Sequence, residues 1–134
     1  MTRQFVIQIS NQRGELAHFA RALAMRGINI EHVSCAGTAA QACAFIIPSD
    51  ASAMRDVLHG LGYQFIEGEA LVVDVADQPG GLADVAERLA DAGVNILGTL
   101  SIGRRPGIIE MAFTVDDEAA ARAALAREPV AAGR

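Results

Sequence analysis

The chain has 134 residues, of which 51% are hydrophobic and 4% aromatic, and its formal net charge is −5. This acidic balance excludes the electrostatic footprint of a protein that binds nucleic acid or an anionic membrane. No apolar run reaches the roughly 18 residues of a membrane span and no secretory signal is recognisable, so we expect a cytoplasmic protein with an aliphatic core.

The first half of the chain predicts strand, helix, hairpin, helix and strand. Residues 4–10 alternate apolar and polar side chains, and residues 15–26 carry apolar side chains at helical spacing. Residues 28–37 and 42–48 predict an antiparallel hairpin. Asp50 or Ser52 then begins a second helix, and residues 63–66 predict a fourth strand. This βαββαβ order predicts a ferredoxin-like α+β fold, with both helices on one face of an antiparallel sheet.

The second half of the chain repeats that order after the polar segment 67–69, which we interpret as a break between strands. Residues 71–76 predict a strand, 77–81 a loop, and 94–103 with 108–115 a hairpin that follows a helix. Asp116 is predicted to start a last helix. Residues 127–134 are predicted to hold only a short or irregular final strand. The apolar positions predicted to face inward from the first three helices are Leu16, Phe19, Ala20 and Leu23, then Met54, Val57, Leu58 and Leu61, then Leu82, Val85, Ala86 and Leu89.

Residues 14–30 and 80–96 are two versions of one segment. At an offset of 66 residues, nine of the seventeen positions are identical. Chance agreement in an alanine-rich chain gives about one or two, so the pattern indicates an internal duplication. We therefore predict two tandem modules, residues 1–68 and 69–134, each near the lower size limit for independent folding.

The motifs at the ends of each predicted first helix resemble those of the ACT domain, an amino-acid-sensing module. In the second half these are Asp77-Gln78-Pro79-Gly80-Gly81-Leu82 before the helix and Ala92-Gly93-Val94-Asn95-Ile96 after it. The first half carries Asn11-Gln12-Arg13-Gly14-Glu15-Leu16 and Arg26-Gly27-Ile28-Asn29-Ile30. Arg13 stands where the family usually has proline, and Glu15 stands where the second half has Gly81.

The resemblance implies a regulatory protein, not an enzyme, in which a small ligand, usually an amino acid, is held at interfaces between modules. It also implies a regulated partner, either an enzyme or a transcription factor. Four-stranded sheets leave edges with unpaired backbone groups, so we expect the chain to form a homodimer.

The loop before each first helix offers the groups that a free amino acid needs. Unpaired N–H groups at a helix start suit the ligand carboxylate. Gly80 and Gly81, with Gly14 in the first half, leave the backbone accessible, and Pro79 presets the turn. Asp77 and Asn11 are candidate acceptors for the ligand ammonium. The further predicted ligand-binding residues are Leu82, Asn29, Asn95 and Ile96.

Simpler roles are open for the same residues. Asp77 is equally suited to capping the helix, and Asn29 and Asn95 to the helix-to-strand turn. Arg104 and Arg105, beside Pro106-Gly107, are interpreted as solvated charges of a hairpin turn. The glycine pair is neither a Walker loop nor a dinucleotide fingerprint. We expect no cofactor and no metal site.

Two other functions compete with ligand sensing. A small ferredoxin-like enzyme is one, although the histidines His18, His32 and His59 share no ligand spacing and no catalytic set is recognisable. The other is a ligand-free scaffold of the same fold. An RNA-binding sheet is disfavoured because aromatic residues and positive charge are lacking. Cys35 and Cys43 are expected to be reduced, although a hairpin centred near Ala39 places them opposite each other.

Overall fold

The computed structural model describes residues 2–126, which form two compact units, the first ending at Ala70 and the second beginning at Leu71. The elements of the first unit are β1 (Arg3–Ser10), α1 (Glu15–Met25), β2 (Ile30–Thr38), β3 (Gln41–Pro48), α2 (Ala51–Leu61) and β4 (Gln64–Glu69). Its strands lie in the order β2-β3-β1-β4, and all neighbours are antiparallel. This is the predicted βαββαβ topology.

The first unit buries one face of its sheet under both helices. Alternate residues of β1, Phe5, Ile7 and Ile9, point to this face because successive side chains of a strand alternate. Phe19 from α1 and Leu58 from α2 are fully buried in the same cluster. The apolar face that alternation gives to the strand and the apolar faces that helical spacing gives to the helices thus pack together in one core.

The second unit repeats this arrangement in the described residues. Its elements are β5 (Leu71–Ala76), α3 (Gly81–Asp91), β6 (Ile96–Arg105), β7 (Ile108–Val115) and α4 (Glu118–Leu125). The strands lie in the order β5-β7-β6, again antiparallel. Its core joins Leu71 and Val75 of the sheet to Leu89 of α3 and Ala121 of α4. The predicted α+β fold with antiparallel sheets is confirmed, while the predicted last strand lies outside the described residues.

The β6–β7 hairpin of the second unit contains one residue more than the β2–β3 hairpin of the first unit. The pairing of β6 with β7 shifts register between Ser101 and Gly103, whereas β2 and β3 pair without a shift over the corresponding stretch. A β-bulge absorbs one residue in this way. The offset between the units therefore rises from 66 before the bulge to 67 after it. The prediction that Asp116 begins the last helix is wrong, because Asp117 is the N-cap residue and accepts a hydrogen bond from the N–H of Ala120.

Two other element predictions also need correction. Residues 67–69 belong to β4, where Glu67 pairs with Phe5, so this polar segment is not a break between strands. Leu16, Leu61 and Leu82 are 46%, 50% and 48% exposed, although helical spacing placed them in the buried stripe. All three lie at helix ends, where the neighbouring layer no longer covers the side chain.

The two cysteines do not face each other, because the hairpin is not centred on Ala39. In the structure Cys35 lies opposite Ala44 and Cys43 lies opposite Ala36. The turn is thus centred between Ala39 and Ala40, and this shift of half a residue sends the two thiols to opposite faces of the sheet. Both cysteines are exposed and free.

Membrane-spanning helices are absent from the described part of the chain. None of the helices within residues 2–126 is long and apolar enough to cross a bilayer.

Candidate ligand-binding site

The loop between β5 and α3 is attached to the turn of the β6–β7 hairpin. The N–H of Asp77 donates to the carbonyl of Gly107, at 3.0 Å. Within the loop, the N–H of Gly81 donates to the carbonyl of Gln78, also at 3.0 Å. Gly80 has a φ of 90°, a left-handed conformation that glycine adopts without strain. The loop and the end of the hairpin therefore form one fixed local structure.

The helix that follows this loop begins without a side-chain cap. Gly80 is the N-cap of α3 and makes no side-chain hydrogen bond, whereas Asp50 and Asp117 cap α2 and α4. The N–H groups of the first helical turn have no intrahelical acceptor. Because Gly81 donates to the Gln78 carbonyl, the N–H groups of the start of α3 that no side chain caps are those of Leu82 and Ala83, and the start of α1, whose N-cap is Gly14, also lacks a side-chain cap.

Gly81 has a different role from the one its sequence position suggested. It is buried, and a Cβ atom at this position would collide with the carbonyl oxygen of Ala76. The missing side chain makes room for the backbone of β5. Its ligand contact remains a prediction, whereas its packing role follows directly from the structure.

A cavity of about 520 Å³ opens beside this loop. Three of the predicted ligand-binding residues line it: Asp77, Pro79 and Leu82. Its floor is the end of the sheet, where Val75 of β5 lies opposite Ile109 of β7. The site therefore combines a charged loop residue with an apolar surface that the sheet supplies.

Arg104 is a lining residue that the sequence analysis did not place in the site. Its Nη1 donates to Oδ2 of Asp77 at 3.1 Å, and the two side chains are 65% and 47% exposed. Exposed pairs of this kind contribute only about 0–1 kcal/mol to stability. Arg104 is thus a solvated charge, as interpreted, but it lies in β6 and forms an ion pair at the cavity.

The neighbouring Arg105 serves the opposite face of the same sheet. It forms ion pairs with Asp74 and Glu110, and its hydrogen bond to Asp74 raises the pKa of Arg105 above its ordinary value. Consecutive residues of a strand point to opposite faces. That alternation predicts that the two arginines lie on opposite faces, and the hydrogen bond to Asp77 shows that Arg104 is the one on the side of the α3 loop.

In the first unit, the matching loop is filled by its own side chains. The amide of Asn11 donates to the carbonyl of Ala39 at 2.8 Å. A Cβ atom on Gly37 would lie only 2.7 Å from the Asn11 amide oxygen, so the side chain of Asn11 lies against this glycine. Gly37 pairs with Ala42 as Arg104 pairs with Ile109, at the offset of 67 that follows the bulge. Asn11 and Gly37 therefore stand where Asp77 and Arg104 form their ion pair.

Glu15 fills the rest of that first loop. Its two carboxylate oxygens accept hydrogen bonds from the hydroxyls of Ser10 and Tyr63, each at 3.0 Å. Burial, followed by the contact with Glu15, raises the pKa of Tyr63 above 10. A cavity of about 390 Å³ lies nearby, but neither Asn11 nor Gly14 lines it.

In the structure, Asn29 and Asn95 lie away from the loops that precede α1 and α3. The N–H of Asn29 donates to Oγ of Ser49, and the N–H of Asn95 donates to Oδ1 of Asp116, both at 2.9 Å. Ile96 pairs with Val115 at the far end of β7 from Ile108, which lies beside Ala76. Seven residue steps of a strand span roughly 23 Å. Within one unit, Asn95 and Ile96 thus do not share a ligand with Asp77, and their ligand contact remains a prediction, as does that of Asn29.

Comparison with protein families gives one match, which lies in the second half of the chain. Residues 70–130 match the family model of the ACT domain. The match confirms the resemblance for this part of the chain and covers a single module. No protein of curated function matches the chain.

Solved structures match the chain over both units. Protein BT0572 from Bacteroides thetaiotaomicron superposes with a TM-score of 0.71 at 21% identity, covering 93% of this chain and 87% of that one. The regulatory subunit of aspartate kinase from Thermus thermophilus, in a ligand-free form, gives 0.61 at 23% identity, covering 92% and 87%. The regulatory subunit from Thermus flavus gives 0.60 at 22% identity, covering 92% and 90%. At these identities the likeness shows a shared fold.

Proposed function

We propose that this protein is a regulatory protein that binds a free amino acid beside the β5–α3 loop of its second unit. The observation that carries the proposal is the cavity of about 520 Å³, because it places the Asp77 carboxylate beside an uncapped helix start. An amino acid presents an ammonium and a carboxylate on adjacent atoms. A carboxylate and unpaired N–H donors are the groups that bind these two charges.

The comparisons support the regulatory part of the proposal. The cavity lies within the residues that match the ACT domain, and the fold is shared with regulatory subunits of aspartate kinase. In a regulatory complex, the ligand acts by binding one arrangement of the protein more tightly than another. The partner that receives the signal is then an enzyme or a transcription factor.

The two units are proposed to have different roles. We place a ligand site in the second unit and none at the first loop, because Asn11 and Glu15 occupy that loop with internal hydrogen bonds. This observation favours the scaffold alternative for the first unit alone. The tandem pair of ACT modules is then one sensing module joined to one structural module.

The proposed assembly is a cytoplasmic homodimer. Each sheet has edge strands in the described residues, β2 and β4 in the first unit and β5 and β6 in the second. Edge strands carry unpaired backbone groups that a second chain can cover. Free exposed cysteines fit a reducing compartment. Analytical ultracentrifugation measures the mass of the particle in solution. A protein that is monomeric at all concentrations contradicts the proposed homodimer.

A thermal-shift screen of the full chain against the twenty amino acids tests the function. A ligand at 100 times its Kd stabilises the folded protein by about 2.7 kcal/mol, which a melting curve detects readily. The variant Asp77→Ala is expected to lose the shift, and the matched control Asn11→Ala is expected to keep it. If the folded protein shifts with none of the amino acids, the scaffold alternative is favoured over ligand sensing.

A further inference from the structure

The charges and walls of the second-unit cavity also restrict its ligand. We infer that the ligand is an amino acid with an aliphatic side chain, whose carboxylate is bound by Arg104 together with the N–H groups at the start of α3 and whose ammonium is bound by Asp77. This inference rests on the proposed function and names the ligand class for the same site. Three features of the described residues carry it: the charge balance, the apolar walls and the geometry of the ion pair.

The charged groups lining the cavity are one cation and one anion, Arg104 and Asp77. A zwitterion with an uncharged side chain matches this balance. A ligand with a further carboxylate or ammonium brings a charge that no other lining residue neutralises. Placing such a charge against apolar walls costs free energy that a pairing partner does not return.

The other lining residues are mostly hydrocarbon, and the two polar ones, Gln78 and Ser101, are uncharged. Val75, Ile109 and Met111 form the sheet side, and Pro79 and Leu82 form the loop and helix side. Leu82 is 48% exposed, so its side chain still has apolar surface to lose when a ligand enters. Each buried methylene tightens binding by about fourfold, which favours a branched or unbranched aliphatic side chain over glycine.

The ion pair has the geometry of an open head-group clamp. One nitrogen of Arg104 contacts one oxygen of Asp77, at 3.1 Å, and both side chains are about half exposed. A guanidinium has five N–H donors in a planar fork that matches a carboxylate. Separating an exposed single-contact pair costs little, so the ligand carboxylate and ammonium can take the two places with no net loss of charge pairing.

The first unit provides an internal comparison. It has Gly37 and Asn11 at the positions of Arg104 and Asp77, so it lacks both charges. The same fold without the clamp should have no affinity for the zwitterion. We therefore expect one aliphatic amino acid per chain.

Isothermal titration calorimetry of the full chain tests the ligand class. The probes are leucine, isoleucine, valine and methionine against glycine, aspartate and lysine. At least one aliphatic amino acid is expected to bind about tenfold or more tightly than each of the other three. If glycine, aspartate or lysine binds tightest, the aliphatic class is overturned while the proposed function stands. If no amino acid binds, the proposed function itself fails.

Two truncated probes and two variants test the clamp. Arg104→Gln is expected to weaken binding of the preferred aliphatic amino acid, and of 4-methylpentanoate, by about tenfold or more, and not to weaken isoamylamine, because Asp77 loses a competing partner. Asp77→Asn is expected to weaken binding of isoamylamine and not to weaken binding of 4-methylpentanoate, because Arg104 then has no competing carboxylate. Arg105→Gln, on the opposite face, is the matched control and should bind as the wild type does. Unchanged amino-acid affinity in folded Arg104→Gln overturns the assignment of Arg104.

Discussion

The two units build their first loops on the same backbone plan but finish them with different side chains. In the first unit, Asn11 bonds to the neighbouring turn and Glu15 binds two hydroxyls. In the second unit, Gly81 packs on the backbone of β5, and Asp77 meets Arg104 at the edge of a cavity. Two units can thus share a topology while their first loops differ in the side chains that they present.

The largest expected difference between the units is in their cores. Phe19 is fully buried and packs edge-on against Tyr63, with ring centroids 5.2 Å apart, while the matching position in α3 is Val85. Phe19→Ala is expected to destabilise the protein by about 4 kcal/mol and Val85→Ala by about 2 kcal/mol. Urea unfolding measures both. Equal losses would contradict a difference in core size between the units.

Gly81→Ala tests how tightly the second loop is packed. The added methyl meets the Ala76 carbonyl oxygen, so we expect a loss of about 3 kcal/mol in the free energy of unfolding. Gly60→Ala in α2 is the control, because an added Cβ there meets nothing within 4 Å. The control should be stabilised by about 0.5–1 kcal/mol. If Gly81→Ala leaves the free energy of unfolding unchanged, the backbone of the second loop is not tightly packed against β5.

The bulge in β6 predicts distinct roles for two adjacent aspartates. Asp117→Ala should remove the cap of α4 and cost about 1 kcal/mol, with faster hydrogen exchange at Ala120. Asp116→Ala should instead expose the amide of Asn95, as Ser49→Ala should expose that of Asn29. Amide exchange by NMR distinguishes the two sites. Faster exchange at Ala120 in Asp116→Ala would instead show that Asp116 caps α4, as the offset of 66 predicts.

Asn11→Ala tests whether the first loop is purely structural. It removes the hydrogen bond to Ala39, so we expect a loss of about 1 kcal/mol in the free energy of unfolding. Amino-acid affinity should not change, because the proposed ligand lies in the second unit. Calorimetry alongside unfolding measures both quantities. Weaker amino-acid binding by this variant would show that the first loop has a role in binding.

The smallest expected effect is a pH dependence in the first unit. The hydrogen bond from Arg55 lowers the pKa of Glu67 below its ordinary value of 4.5. A lowered pKa contributes stability that is present above 4.5 and is lost as pH falls through the lower folded value. For this partly exposed pair we expect less than about 1 kcal/mol. Melting temperatures of wild type and Glu67→Gln should therefore converge on acidification, and a difference that grows in acid contradicts the sign.

Some features of the fold could be read from local patterns alone. The strand of residues 71–76 was predicted with its observed bounds, and Asp50 was one of two predicted caps for α2. Alternation and helical spacing decide such features because each depends on the conformation of a few consecutive residues. The same patterns were wrong for Leu16 and Leu82, since periodicity assigns a face to a helix but does not show where the covering layer ends.

The cavity required information about pairing between distant strands. Asp77 and Arg104 meet only because β5 and β6 both flank β7 and the hairpin turn accepts the N–H of Asp77. A bulge at Ser101–Gly103 decides that Arg104, and not Arg105, faces the loop. Neither the bulge nor the half-residue shift that separates Cys35 from Cys43 has a recognisable sequence signal.

The sequence by itself determined the order of the elements, the similarity of residues 14–30 to residues 80–96 and the glycine-bearing loops, because periodicity and backbone conformation are local properties. Tertiary structure alone decided the ion pair, the apolar walls and the filling of the first loop. These depend on strand register, and a shift of one residue reverses the face on which every following side chain lies.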